Sequence, residues 1–172
     1  MKIAIIGNAG SGKSTLALKL HEILGLPLYY LDHYFWLPGW QQVDRATFQH
    51  IHHNLCDQPT WIIEGIARKI FDYRAQQADI IIFLDIPTYI CLYRVLKRAI
   101  VDFGKVRRSS APGCPERGPS LTFLKFVWNF NRTRKPIILD VLEKYKGSKK
   151  IFIIKNKAEL RDLIQQFESN AI

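Results

Sequence analysis

The sequence has few cysteines, no long apolar run and few acidic residues. The three cysteines (Cys56, Cys91 and Cys114) lack paired metal-ligand spacing, and an odd number does not suit a disulfide framework. Apolar runs such as residues 80–84 are far shorter than the roughly 18 residues that indicate a membrane span. The first apolar stretch ends at Gly7, which is too short for an export signal. We therefore expect a cytoplasmic location and no membrane partner.

The composition excludes general disorder and the fibrous classes, because 48% of the residues are hydrophobic and 23% are charged. A length of 172 residues fits one compact domain, which at this size buries roughly 70% of the surface of its unfolded chain. The chain has no internal repeat or low-complexity tract. We therefore expect a single domain over residues 1–172.

The shortage of acidic residues makes the chain basic, with a net charge of +10. Residues 94–135 hold 11 Lys and Arg against Asp102 and Glu116, a net of +9, whereas residues 1–93 have a net of −1. A basic balance indicates a polyanionic partner, but it does not distinguish a nucleic acid or an anionic membrane from a small phosphate compound. We treat residues 94–135 as a basic insert in the domain.

Apolar runs that alternate with helical spacing predict an α/β fold. Five short apolar runs predict buried strands, at residues 2–6, 27–31, 61–63, 79–84 and 150–154. Helical spacing predicts helices at residues 14–24, 44–56, 87–103 and 158–168, and a mostly helical segment over 120–146 that breaks near Pro136. Residues 104–119 are rich in Gly, Pro and Ser, which predicts a loop. This alternation predicts a parallel sheet with helices on both faces.

A glycine-rich motif follows the first predicted strand. Residues 7–14, GNAGSGKS, match G-x-x-x-x-G-K-[ST] between a predicted strand and a predicted helix. Glycines let backbone N–H groups point into an anion-sized concavity, and the start of the helix adds positive charge. The lysine of such a loop reaches the β- and γ-phosphates, and its serine coordinates Mg²⁺. We predict that ATP and Mg²⁺ bind here, with Ser14 as metal ligand and the following residues at the nucleotide: Gly7, Asn8, Ala9, Gly10, Ser11, Gly12, Lys13, Ser14 and Thr15.

Three acidic residues follow predicted strands. Asp32, Glu64 and Asp85 each come directly after an apolar run, and the carboxyl ends of parallel strands face one crevice. A carboxylate there can orient a metal-bound water, accept a proton from an attacking hydroxyl, or simply cap the next helix. For Asp85, which precedes Ile86-Pro87, we favour capping. For Asp32 and Glu64 we favour a catalytic role, and Glu64 is also a candidate Mg²⁺ ligand through water.

Arginines dominate the basic insert. Arg94 and Arg98 lie four residues apart on one predicted helix, and Arg107 and Arg108 follow in the Gly/Pro-rich loop. The apolar side of that helix is expected to comprise Leu92, Val95, Leu96, Ala99 and Ile100. Phosphoryl transfer spreads negative charge over the transferred group, which arginines on a closing loop would stabilise. We therefore predict an arginine lid, with Arg98 at ATP and Arg107 and Arg108 in catalysis. For Lys97 we accept the alternative of a solvated basic face.

The whole chain resembles a known family. The segments GNAGSGKS, LYYLDHYFWLPGW, WIIEG, ADIIIFLDIP, CLYRVLKR, GCPE and FVWNF are similar to those of the FlaR-type topology modulation proteins, which are small bacterial proteins similar to adenylate kinase and other nucleoside or nucleotide kinases. The resemblance implies a P-loop fold with the five strands in the order 2-3-1-4-5 and a lid after the fourth. It also implies that Lys13 and Ser14 handle ATP and Mg²⁺, that Asp32 and Arg74 lie towards the acceptor, and that Arg94, Arg98, Arg107 and Arg108 lie towards the lid.

One segment departs from the pattern of that family. The family usually has Asp-Gly-Asn-Tyr after the third strand, whereas this chain has Glu64-Gly65-Ile66-Ala67. The carboxylate is kept on a longer arm, but the Asn and the Tyr are lost. The identity of the acceptor, and catalysis itself, are therefore open at this point.

Aromatic and histidine residues each have two interpretations. Trp40 and its neighbours at 34–36 either wall an acceptor pocket or pack a surface loop on the core, and we take Trp40 as a candidate substrate contact. His50, His52 and His53 have no acidic or Cys partner at ligand spacing. We therefore expect these histidines to be exposed to solvent rather than to bind a metal.

Two classes of function fit these features. The first is Mg-ATP-dependent phosphoryl transfer to a small acceptor, a nucleoside or nucleotide, with the following candidate substrate contacts: Asp32, Trp40, Glu64, Arg74 and Arg94. The second is an ATP-binding protein that affects DNA topology, with residues 94–135 on nucleic acid. The sequence has no DNA-reading motif, and its arginines alternate with Gly and Pro, which favours the first class. A regulatory ATP sensor is a third interpretation, which Ile66-Ala67 keeps open.

Overall fold

The computed structural model describes residues 1–66 and 70–169. In chain order its elements are β1 (Lys2–Gly7), α1 (Lys13–Leu24), β2 (Leu28–Tyr30), α2 (Asp32–Phe35), β3 (Trp36–Leu37), β4 (Gln41–Gln42), α3 (Arg45–Asp57), β5 (Trp61–Glu64), α4 (Phe71–Gln77), β6 (Ile80–Leu84), α5 (Thr88–Val101), α6 (Leu121–Trp128), α7 (Phe130–Thr133), α8 (Lys135–Tyr145), β7 (Lys150–Ile154) and α9 (Lys157–Glu168). No helix in these described ranges is long and apolar enough to cross a membrane.

Five strands form a parallel sheet in the order β2-β5-β1-β6-β7. They are the five predicted strands, in the order that the family resemblance implies when only those five are numbered. The numbering differs because the antiparallel pair β3 and β4 lies between the second and third of them in the chain. The sequence does not predict this hairpin, since each of its strands has only two residues.

Helices cover both faces of the sheet, as the alternation predicts. Strand β1 shows why, because Ile3 and Ile5 point into one apolar core while Ala4 and Ile6 point into the other. The first core also takes residues from α1, α5, α6 and α9, and the second takes residues from α3, α4, α7 and α8. A strand buried on both sides has a nearly continuous apolar run, as β1 has at residues 3–6, β5 at residues 61–63 and β6 over its whole length.

Two helical boundaries test the sequence predictions directly. Helix α3 begins after Asp44, the first residue of the helix predicted over residues 44–56. Oδ1 of Asp44 caps the helix by accepting a hydrogen bond of 3.0 Å from the backbone N–H of Thr47. The segment over 120–146 breaks at Asn129 and at Arg134, and the second break confirms the prediction of a break near Pro136. Proline sits in the first turn of α8, where its missing N–H removes no helical hydrogen bond.

The apolar side predicted for α5 is partly wrong. Cys91, Val95 and Ala99 face the core, but Leu96 and Ile100 are 42% and 80% exposed. The reason is that α5 is apolar on two faces, and only one of them meets the sheet.

Candidate active site

The phosphate-binding motif forms the turn between β1 and α1. Gly10 and Gly12 have φ angles of +79° and +102°, which glycine adopts without the strain that a Cβ would bring. A Cβ on Gly10 would also collide with the backbone carbonyl of Cys91, so the absence of a side chain lets α5 approach the loop. The backbone N–H of Ser11 donates to the carbonyl of Asn8 at 3.2 Å, which closes the turn.

Asn8 anchors the loop to the rest of the fold. Its Nδ2 donates to the carbonyl of Val127 in α6 at 2.9 Å, and its Oδ1 accepts from the backbone N–H of Ala9 at 2.8 Å. The carbonyl of Asn8 also accepts from Nζ of Lys13 at 2.9 Å, so the ammonium group is held over the loop. Asn8 was predicted as one of the nucleotide contacts of the loop, and its link to α6 has no local sequence signature.

The ammonium group of Lys13 is buried, and two effects shift its pKa in opposite directions. Burial lowers the pKa of its ammonium group, while the carboxylates of Glu64 and Asp32 oppose that shift. These two carboxylates come from the ends of neighbouring strands and meet the lysine at one edge of the sheet. The structure therefore brings together three of the residues that the sequence singles out.

Glu64 lies at the end of β5 and is 3% exposed. Its Oε1 accepts a hydrogen bond of 3.1 Å from Oγ of Ser14, and its Oε2 has no hydrogen-bond partner among the described residues. Burial raises the pKa of the carboxyl group, and the charge of Lys13 opposes this. Oε2 of Glu64, next to the hydroxyl group of Ser14, is therefore available to a ligand bound at the phosphate loop.

The pair of Ser14 and Glu64 fits a hydrated Mg²⁺, because Mg²⁺ prefers oxygen ligands and keeps several waters. Within the described ranges, no group of three His, Cys, Asp or Glu residues is close enough to hold a metal ion. These residues thus suit a metal that arrives with the phosphates of a nucleotide rather than one held by protein ligands alone.

Asp32 begins α2 and borders a cleft of about 580 Å³. Its carboxylate is open to the cleft, yet the protein that surrounds the cleft removes much of the bulk water and raises its pKa, against the charges of Lys13, Arg107 and Arg98. The other residues that line the cleft are Leu31, Phe35, Gln42, Val43, Asp44, Arg45, Phe48, Gln49, Ile66 and Ile70.

Two of the predicted lid arginines share one acidic partner. Oε2 of Glu116 lies 2.7 Å from Nε of Arg107 and 3.1 Å from Nε of Arg98, and the glutamate is 8% exposed. The side chain of Arg108 is exposed, and its backbone carbonyl accepts from Nε2 of His33 at 2.9 Å. Sequence reasoning missed Glu116 as a site residue. One indication was present in the sequence: the basic insert has 11 Lys and Arg residues, and Glu116 is one of only two acidic residues in it.

The loop over 104–119 is docked on the β3–β4 hairpin. The backbone N–H of Gly39 donates to the carbonyl of Gly113 at 3.0 Å, and Sγ of Cys114 donates to the carbonyl of Leu37 at 3.2 Å. Trp40 donates from Nε1 to the carbonyl of Pro115 at 3.0 Å. Trp40 thus contacts the lid loop and does not line the described cleft, so the structure favours packing over a pocket wall.

Two further arginines predicted as substrate contacts lie away from the cleft. Nη1 of Arg94 lies 3.3 Å and 3.2 Å from the carbonyls of Gly10 and Ser11, so this arginine supports the phosphate loop. Arg74 is fully buried, donates from Nη2 to the carbonyl of Gly65 at 2.9 Å, and has its pKa lowered to about 10 by burial. Both therefore act on backbone that frames the site.

Two other expectations are wrong. Asp85 does not cap α5; its Oδ2 accepts an ion-pair hydrogen bond of 2.7 Å from Nζ of Lys135. His52 is fully buried instead of solvent-exposed, and burial lowers its pKa to about 3. In the departing segment after β5, Ile66 lines the cleft, whereas Ala67 lies outside the described residues.

The whole chain is similar in structure to several kinases of small molecules. Shikimate kinase from Acinetobacter baumannii in complex with shikimate matches with a TM-score of 0.60 and 18% identity, over 99% of this chain and 92% of that chain. The chain has the fold of P-loop kinases. A gluconokinase from Sinorhizobium meliloti 1021 matches with a TM-score of 0.54 and 16% identity, over 98% of this chain and 89% of that one. Deoxyadenosine kinase from M. mycoides matches with a TM-score of 0.52 and 16% identity, over 100% of each chain.

Comparison with protein-family models gives no match, and comparison with curated proteins gives none either. The likeness to the FlaR-type family thus remains a resemblance of sequence segments.

Proposed function

We propose that the protein is a Mg-ATP-dependent phosphotransferase that phosphorylates a hydroxyl group of a small acceptor. The observation that carries this proposal is that Lys13 and the hydrogen-bonded pair of Ser14 and Glu64 lie at the phosphate loop, within electrostatic reach of Asp32. Asp32 borders a cleft large enough for a small molecule. The similar structures support it, because they are kinases named for shikimate, gluconate and deoxyadenosine, all of which carry hydroxyl groups.

In this proposal each residue has a distinct task. The N–H groups of the loop and the start of α1 hold the phosphates, and Lys13 neutralises charge on the β- and γ-phosphates. A Mg²⁺ bound with ATP, held by Ser14 and through water by Glu64, would neutralise phosphate charge. Asp32 accepts the proton of the acceptor hydroxyl, a task for which a raised pKa is suited.

The arginines at Glu116 stabilise the transferred group. Arg98 and Arg107 are close enough to Asp32 for their charges to oppose the rise of its pKa, so both lie within electrostatic reach of the acceptor carboxylate. Negative charge that develops on the phosphoryl oxygens would meet donors already held in place, which lowers the barrier without reorganisation. Arg108 remains a candidate for the same task, since its side chain is exposed next to them.

The lining of the cleft favours a flat acceptor with polar edges. Phe35 and Phe48 offer aromatic surface, while the amides of Gln42 and Gln49 offer donors and acceptors for ring substituents. A nucleoside satisfies both features, so we propose nucleosides as the first acceptors to test and nucleotides as the second.

The decisive experiment incubates purified protein with Mg-ATP and separate acceptors from a panel of nucleosides, nucleotides, shikimate and gluconate. ADP and a phosphorylated product should form with at least one acceptor and should vanish in the Lys13→Ala variant. ATP binding without any product across the panel would contradict the proposal and favour the ATP-sensor interpretation.

Nucleic-acid contact is the second candidate function, and the net charge of +9 over residues 94–135 favours it. Against it, Arg94, Arg98 and Arg107 are directed at the phosphate loop and Glu116 rather than outwards. It predicts duplex binding that weakens steeply with salt. Absence of binding at about 50 mM salt, where phosphate contacts are strong, would exclude it.

A further inference from the structure

Helix α5, with Phe103 just beyond its last residue, carries a line of large exposed apolar side chains. Tyr89, Tyr93, Leu96, Ile100 and Phe103 are 68%, 64%, 42%, 80% and 68% exposed. The four on the helix are four, three and four residues apart, which is the heptad pattern of a helix that packs along another helix, and Phe103 follows in the turn after α5. We call these five residues the α5 stripe.

We infer that the α5 stripe is the interface through which two copies of this chain form a two-fold dimer. A two-fold interface uses the same patch on both partners, and a single straight stripe can meet its own copy in this way. The opposite face of α5 is already used, because Cys91, Val95 and Ala99 pack in the core. The helix is therefore apolar on both sides, and only the second side lacks a partner.

The exposed area of the α5 stripe approaches the area that a stable dimer interface buries on each partner. Aromatic side chains bury about 150–250 Å² each, so the three rings of the stripe offer on the order of 400 Å² at their observed exposure. Leu96 and Ile100 raise this to on the order of 500 Å². A stable interface uses about 800 Å² on each partner, so the stripe would supply most of it.

The charges near the stripe favour a protein partner over an anionic membrane. A helix that lies on a membrane presents Lys and Arg along its polar face to the headgroups. On α5 the two arginines are instead half-buried, Arg94 against the phosphate loop and Arg98 against Glu116. Lys97 is left beside the stripe, and its long stem can extend to solvent at the edge of a helix pair.

The test measures molar mass by light scattering during size-exclusion chromatography. The unmodified protein should have twice the chain mass of 20.0 kDa, and the double variant Tyr93→Lys, Ile100→Glu should have the single mass with an unchanged circular dichroism spectrum. The matched control is Leu139→Glu on α8, which is 38% exposed on the other side of the sheet and should leave the dimer intact.

Three results would overturn the inference. The unmodified protein could remain a monomer at on the order of 100 μM, where an interface of this size should associate. The double variant could remain dimeric, which would place the interface elsewhere. A monomer that binds anionic phosphatidylserine vesicles through the stripe would identify a lipid surface instead.

A crosslink gives a readout that loss of folding cannot imitate. Leu96 is the middle residue of the stripe, so the two-fold axis should bring it opposite its own copy. Leu96→Cys should therefore form a disulfide-linked dimer under mild oxidation, since Cα atoms within about 7 Å can be bridged. The three native cysteines are buried and provide a low background.

Leu139→Cys is the control, and equal crosslinking of both variants would contradict the proposed interface. Neither readout depends on ATP or on an acceptor, so the result is independent of the proposed function.

Discussion

The substitution Glu116→Gln tests whether one carboxylate holds the arginines of the lid. Glutamine keeps the shape of the side chain and one acceptor oxygen, but it removes the charge that Arg98 and Arg107 share. The two guanidinium groups would then repel each other across a mostly buried site. We expect both a loss of stability and a loss of turnover, for separate reasons that can be measured separately.

The expected size of the effect follows from exposure. Removal of one partner from a fully buried ion pair costs about 3–5 kcal/mol. Here the glutamate side chain is 9% exposed, but the arginine side chains are 24% and 25% exposed, so water offsets part of that cost. With one hydrogen bond retained by Gln, the loss should be about 1–2 kcal/mol, which lowers Tm by roughly 2–8 °C for a chain of this length. If the arginines stabilise the transferred phosphoryl group, kcat should fall by about 10- to 100-fold.

Thermal unfolding and steady-state kinetics provide the two measurements. The matched control is Glu143→Gln, whose ion pair with Lys146 is 74% and 72% exposed and should have no measurable effect on either. If the Glu116→Gln variant has the same Tm as the Glu143→Gln control and keeps its kcat, the reasoning is refuted. A lower Tm with an unchanged kcat would show that the glutamate holds the lid together while the arginines take no part in phosphoryl transfer.

Three further predictions concern single residues. Lys13→Ala should weaken ATP binding by about 10- to 100-fold in calorimetry, because it removes a charged hydrogen-bond donor at the phosphates; unchanged affinity would contradict its role. Asp32→Asn should keep ATP affinity but lower kcat by about 10²–10⁴-fold. In the unmodified protein kcat should fall as pH drops through the raised pKa of Asp32, so a profile flat down to the usual carboxyl range would count against a general base. The buried imidazole of His52 has a pKa lowered to about 3, so the unfolded chain takes up its proton first as pH falls. Stability should therefore decrease below about pH 6.5 by up to about 1.4 kcal/mol per pH unit, and His52→Leu should reduce this slope in denaturant titrations.

The phosphate loop and the sheet were predictable because their determinants are local. The motif lies between a strand and a helix in the sequence, and short apolar runs rich in Ile, bounded by turn residues, indicate strands buried on both faces. The positions of Glu64 and Asp32 at the ends of neighbouring strands were predictable for the same reason, since the carboxyl ends of parallel strands share an edge. The hydrogen bonds that dock the lid loop on the β3–β4 hairpin were not predictable. Cys114 and Trp40 bind backbone oxygens of distant residues, and any residue type can supply a backbone oxygen.

The position of Trp40 links that docking to the site. Trp40 has a φ of +64°, a conformation that costs a residue with a side chain about 1–3 kcal/mol and persists only when its surroundings impose it. Its indole donates to the carbonyl of Pro115, the residue before Glu116, and the guanidinium of Arg117 lies 5.4 Å from its ring centre. The carboxylate that holds Arg98 and Arg107 is thus flanked on both sides by residues that contact one tryptophan of the hairpin. A lid that opens must release these contacts together, so we expect movement of the hairpin and movement of the two arginines away from Asp32 to be one event.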